Sequence, residues 1–256
     1  MIKSLFTALR MYSRIPVPEV EWNKESRRYS LCFFPIVGVV AGVLLILWND
    51  VCAVLSTDGL LFGAGAVLLM VLLTGGLHLD GFCDTCDARA SWGDKQRRLE
   101  ILSDPHIGSF AVIKLVAYMI LYTALMSMLY DTAVVYAAAW GYVLSRSLSG
   151  LAAVTLKSAK NEGTLFVFTD TADKKATLFV LSFTASISCF AMIAVCPQAG
   201  FAAAAASLLT MAYYRYVAYK EFGGITGDIA GWFLQVCELA VTAAIVLVYR
   251  ILEVSK

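Results

Sequence analysis

Three carboxylates in this chain recur at a spacing that can do chemistry. Asp80, Asp84 and Asp87 stand at i, i+4 and i+7 within His78-Leu-Asp-Gly-Phe-Cys-Asp-Thr-Cys-Asp-Ala-Arg89, and on a helix that register puts all three on one face. Like charges so placed repel unless a cation sits between them. Hard oxygen donors favour magnesium, calcium or manganese over zinc, and magnesium commonly takes one or two carboxylates together with substrate phosphate oxygens. A lone aspartate would read as solvated surface. Three in register beside apolar sequence predict a metal site, with Asp80, Asp84 and Asp87 as the ligands and Mg2+ as the ion. Asp104, in Leu102-Ser-Asp-Pro-His-Ile-Gly108, lies at the far end of the same polar stretch and could complete the cluster or hold a second ion.

Other reactive groups crowd the same stretch. His78 and His106, the two histidines, border it. Asp104, His78 and Asp228 are the candidates for a proton acceptor. Arg89, Arg97 and Arg98 are candidates for holding phosphate, Arg89 first among them because it follows two of the aspartates closely. Thr226 and Gly227 belong to Gly223-Gly-Ile-Thr-Gly-Asp-Ile-Ala-Gly231, whose glycines let backbone N–H groups approach an anion. Cys83 and Cys86 form a solitary CxxC, a weak zinc or redox signal, read here as small neighbours of the aspartates.

What positions these residues is a membrane-type chain. Of 256 residues 60% are hydrophobic and 15% charged, with mean hydropathy +0.75. Soluble domains carry about 25% charged residues, so lipid must solvate much of this surface. The net charge of +1 carries no signal for nucleic acid, and the seven irregularly spaced cysteines imply no disulfide framework. Seven apolar segments, roughly 32–55, 60–78, 109–129, 132–155, 177–196, 199–219 and 231–250, are long enough to consider as spans. With the N-terminus inside, the cytoplasmic segments hold fifteen Lys and Arg and the opposite side only Arg250 and Lys256. The expected fold is therefore all-α: a polytopic integral membrane helical bundle of about seven spans. Residues 1–256 form one domain, with 1–31 as a cytoplasmic or interfacial N-terminal segment and 79–108 as a cytoplasmic active-site loop. Ile2, Leu5, Phe6 and Leu9 at helical spacing predict a short helix, lying in the membrane interface or on the protein's own loops. Arg146 and Glu238 fall inside apolar segments, where an unpaired charge costs at least ~2.5–3.5 kcal/mol. They either pair or face a polar cavity. A homo-oligomer is compatible with all of this.

At these residues the chain resembles the cobalamin synthase family, the adenosylcobinamide-GDP ribazoletransferases. The match runs through Ser13-Arg-Ile-Pro-Val-Pro18, Phe34-Pro-Ile-Val-Gly38, Gly75-Gly-Leu-His-Leu-Asp-Gly81, Asp84-x-x-Asp87, Arg98-Leu-Glu-Ile-Leu-Ser-Asp-Pro-His-Ile-Gly108 and Gly224-Ile-Thr-Gly-Asp228, in order over nearly the full length. The resemblance implies a Mg2+-dependent transferase of the cytoplasmic (inner) membrane, its active site facing the cytoplasm. It would join GDP-cobinamide to α-ribazole, or to its 5′-phosphate, with release of GMP. The family often has Gly where this chain has Ala88, which puts backbone contact there in doubt. Two other classes remain. CDP-alcohol phosphotransferases also use spaced aspartates, but their downstream Gly-x-x-x-Asp-x-x-x-Asp is missing here. A cation transporter would need ionisable residues strung through several spans, whereas here only Arg146, Arg215 and Glu238 lie deep.

Overall fold

The computed structural model describes residues 1–255. Twelve α-helices follow in order among them: α1 (Ile2–Tyr12), α2 (Lys24–Arg27), α3 (Phe34–Val54), α4 (Gly59–Thr74), α5 (Leu77–Ala90), α6 (Lys95–Ile101), α7 (Ser109–Ser127), α8 (Val135–Thr155), α9 (Thr164–Thr171), α10 (Lys174–Val195), α11 (Pro197–Val217) and α12 (Gly227–Val254). A 3-10 turn, Ser30–Phe33, leads into α3, and a π turn, Ala218–Phe222, follows α11. The seven apolar segments correspond to α3, α4, α7, α8, α10, α11 and α12. Four helical runs are long and apolar enough to cross a membrane by themselves: Lys24–Val54, α7, α10 and α12. Helices α4 and α5 make a fifth if the bent pair counts as one span.

Helix α8 misses that threshold because Ser145, Arg146, Ser147 and Ser149 occupy its middle, yet all four are buried. Polar groups at that depth need protein rather than lipid around them. Accordingly α8 sits at the centre of the bundle, packed by α3, α10 and α12. Helix α3 comes close through Gly38 and Gly42, where added Cβ atoms would lie 2.5 Å from the Tyr142 carbonyl oxygen and 2.9 Å from that of Ala139. Small residues four apart allow such backbone approach.

The second apolar segment ends earlier than its composition suggests. Gly75 and Gly76 both take left-handed backbone, with φ of 63° and 79°. Two such residues in succession suit glycine and stop the helix. The chain turns through 95°, and the 79–108 segment then carries most of α5 and all of α6. The N-terminal segment is pinned to this corner: the Arg14 backbone N–H donates to the Leu73 carbonyl at 2.7 Å. Helix α1 packs on the protein itself, burying Ser4, Thr7 and Ala8 against α2, the Ser30–Phe33 turn and α3.

Candidate active site

Three stretches far apart in sequence converge at one end of the bundle. Helix α5 lies along the start of α12, and glycines permit the contact. A Cβ on Gly81 would sit 2.7 Å from the Asp228 carbonyl oxygen and 2.8 Å from its Cα, and one on Gly231 would sit 3.1 Å from the His78 carbonyl oxygen. The start of α12 is set by Thr226, whose Oγ1 accepts the Ile229 N–H at 3.3 Å. The strand-like stretch before it is fixed by a parallel bridge. Ala159 N–H donates to the Ile225 carbonyl and Ile225 N–H to that of Lys157, both at 2.9 Å. Between these stretches lies a cavity of about 420 Å³, with His78, Asp80, Ser103, Lys160, Thr226, Gly227 and Asp228 on its polar wall and Tyr12, Phe34 and Phe168 on an aromatic one. Since α5 and α12 touch backbone to backbone at Gly81, Gly81→Val is expected to push them apart. It should cut activity at least tenfold and lower the thermal midpoint, whereas Gly76→Ala, in open space, strains only the turn. Melting curves and turnover of both variants test this.

The carboxylates here lack cationic partners. Among the described residues none of Asp80, Asp84, Asp87 or Asp228 forms a salt bridge. Burial, reinforced by the charges of Asp80, Asp228 and Asp87, pushes the Asp84 carboxyl up to about 7. A proton therefore stabilises the fold there. That contribution is complete below the ordinary carboxylate range and is lost as pH rises through about 7. A cation would replace the proton. No three His, Cys, Asp or Glu among the described residues close into a ready-made metal cage. The donor set fits magnesium on those terms, because that ion completes its shell with water and substrate phosphate. Displacing the Asp84 proton makes binding pH-linked. Apparent Mg2+ affinity is expected to rise about tenfold from pH 6 to pH 8, levelling off above about 7. Calorimetric titration at the two pH values measures it. Cys83 and Cys86 are buried and free, and burial pushes the Cys83 thiol up to about 11, so both sit as neutral fillers.

The remaining candidates are placed as follows. Asp87 turns to the start of α7, its two oxygens accepting the N–H groups of Gly108 and Ala111, the latter at 2.8 Å. Arg89 and Arg98 do not line the cavity. Both grip Glu221 of the π turn, at 3.1 and 2.7 Å, and Arg89 also donates to the Tyr213 hydroxyl at 2.8 Å. They join α5 and α6 to the end of α11. Asp104 lies exposed beside His106, whose backbone N–H and ring hold its carboxyl below the usual range. It is apart from the charges that act on Asp84. His78 lines the cavity but is 4% exposed, its Nε2 buried without a partner. Two residues escaped the sequence reading. Lys160, basic and facing the cavity, donates to Ser103 Oγ at 2.9 Å and to the Leu99 carbonyl at 3.2 Å. In the sequence it counted only toward charge bias. Glu221 gave one signal, a carboxylate two residues before the glycine-rich motif.

Residues 4–246 match the cobalamin-5-phosphate synthase family. The chain is 39% identical over 246 residues to an adenosylcobinamide-GDP ribazoletransferase of Lachnoclostridium phytofermentans, covering 96% of this chain and 94% of that one. It is 30% identical to the protein of that name in Treponema denticola (94% and 96%) and 29% identical to one in Clostridium botulinum strain Alaska E43 (93% and 95%). No solved structure matches it.

Proposed function

Because the chain belongs to the cobalamin-5-phosphate synthase family, we propose that it joins GDP-activated adenosylcobinamide to α-ribazole, or to α-ribazole 5′-phosphate, and releases GMP. The observation that carries this is that Asp80 and Asp228 line a cavity that also holds Lys160, with Asp84 near enough for the charges of both to act on it and none of the three in a salt bridge among the described residues. In the reaction the acceptor hydroxyl oxygen bonds to the phosphorus attached to cobinamide. The bond from that phosphorus to the oxygen of GMP breaks, and the hydroxyl proton passes to a base.

Asp80 and Asp84 would hold magnesium, which supplies charge neutralisation on the diphosphate. Asp228 is the favoured proton acceptor, since it lines the cavity and remains partly accessible. His78 is too deeply buried, and Asp104 is exposed and engaged by His106. Lys160 and the first N–H groups of α12 face the same space and suit the negative charge of the leaving phosphate. Asp87 braces α7 against α5 and so keeps Asp84 in place. The Lys/Arg bias supports a multi-pass protein of the cytoplasmic membrane with this end toward the cytoplasm.

Purified protein in detergent, given GDP-cobinamide, α-ribazole and Mg2+, is expected to release GMP only when all three are present. CMP release from a CDP-alcohol in place of GMP would overturn the assignment, as would cation flux in proteoliposomes without GMP formation.

A further inference from the structure

The last three turns of α11 and the π turn after it carry residues that the reaction does not use. Leu208, Ala212, Arg215, Tyr216 and Tyr219 follow one another at helical spacing down an outward-facing stripe, and all are exposed. Arg215, expected deep in a span, instead stands exposed two residues before the end of α11, and with Ala212, Tyr216, Tyr219 and Lys220 it lines an open recess of about 540 Å³. Its side chains are fixed. The Arg215 guanidinium lies 6.0 Å from the centre of the Tyr219 ring, and the Lys220 ammonium lies 4.9 Å from that of Tyr216 while donating to its hydroxyl. The Tyr219 hydroxyl accepts the Lys157 backbone N–H at 2.9 Å, and its carbonyl accepts from Lys95 Nζ at 3.1 Å.

Among the described residues neither Arg215 nor Lys220 forms a salt bridge, and the carboxylate on the same turn, Glu221, is taken by Arg89 and Arg98. Lys95, whose ammonium donates to the Tyr219 carbonyl, adds to the positive field at the same turn. Along the stripe exposed leucine gives way to interleaved cations and tyrosines, Arg215, Tyr216, Tyr219 and Lys220. That is the passage from acyl chain to headgroup in a lipid leaflet, where tyrosines and basic residues gather. The π turn Ala218–Phe222 then carries Lys220 around to face the recess beside Arg215.

We propose that this recess binds the headgroup phosphate of an anionic phospholipid, with Arg215 and Lys220 on the phosphate and the acyl chains running along α11 past Ala212 and Leu208. The occupant is a lipid rather than a free anion because the recess is open instead of closed around its cations, and its lining residue Ala212 is preceded one turn back on α11 by exposed Leu208. The site is separate from the acidic cluster and does not depend on what the cluster does. It touches it through one connection, since the same π turn carries Glu221, which anchors α5 and α6.

The test uses the full chain in nanodiscs of phosphatidylcholine with and without phosphatidylglycerol, followed by native mass spectrometry of the retained lipid. The wild type is expected to retain phosphatidylglycerol over phosphatidylcholine by roughly ten- to thirtyfold. Its thermal midpoint should rise with phosphatidylglycerol and not with inorganic phosphate. The double variant Arg215→Gln/Lys220→Gln, changed only at exposed positions, should lose the preference to within about twofold. Equal retention of the two lipids by the wild type, a preference that survives in the double variant, or equal stabilisation by inorganic phosphate would each overturn the proposal.

Discussion

Replacing Asp84 by Ala is expected to lower magnesium-dependent GMP release roughly 100-fold or more, while the protein remains folded. Asp84 is the carboxylate on which the others act. Burial and the charges of Asp80, Asp228 and Asp87 together hold its pKa near 7, so its ionised form is disfavoured until a cation arrives. Deleting it removes the proposed ligand and, in the same step, the repulsion it suffers. Without magnesium the variant should therefore melt at or above the wild-type temperature at pH 8, where Asp84 is ionised. Near pH 5, where Asp84 carries its proton, the two should differ little. Asp87→Ala should behave in the opposite way. It strands the N–H groups of Gly108 and Ala111 and should cost about 1–2 kcal/mol. Turnover with melting curves at pH 5 and pH 8 separates the two roles. Full activity of Asp84→Ala would remove the metal-site assignment, and equal destabilisation by both variants would make Asp84 merely structural.

What the sequence made legible was whatever spacing controls locally. The register of Asp80, Asp84 and Asp87 is a property of one helix, and that helix forms. The seven apolar segments are helices within a few residues of their expected bounds. What stayed hidden depends on how helices meet. Nothing local says that Asp87 will serve α7 while Asp80 faces a cavity shared with Asp228. That division follows from the contact of α5 with α12 at Gly81 and Gly231, residues 150 positions apart in number. Arg89 and Arg98 have the right chemistry for phosphate, but Glu221 reaches them first, across more than 120 residues of chain. Lys160 drew no notice because a lysine in a polar linker resembles any other until the bridge between Ser158 and Ile225 turns it toward the cavity. The bend after Thr74 was written in Gly75-Gly76, but two glycines beside an apolar run also fit a flexible helix end. Only their positive φ angles distinguish the two.

Glu238→Leu is expected to destabilise the protein by about 3–5 kcal/mol. Glu238 and Arg146 are 3% and 1% exposed and pair directly across α12 and α8. Ser145 Oγ also donates to Glu238, at 3.3 Å, and the Arg146 guanidinium donates to the Tyr142 carbonyl at 3.2 Å and lies over the Tyr142 ring. Removing Glu238 alone leaves a cation at the centre of the bundle with only dipoles to answer it. Arg146→Met/Glu238→Leu removes both charges and fills their space with apolar atoms, so most of the stability should return. Thermal unfolding in detergent measures all three proteins. A single variant as stable as the parent, or a double variant no better than the single, would sink the expectation. Activity should not recover with stability. Helix α12 places Asp228 at one end and Glu238 near its middle, so the ion pair sets how far α12 slides along α8, and hence where Asp228 stands relative to α5. Two apolar side chains restore the packing without restoring that register.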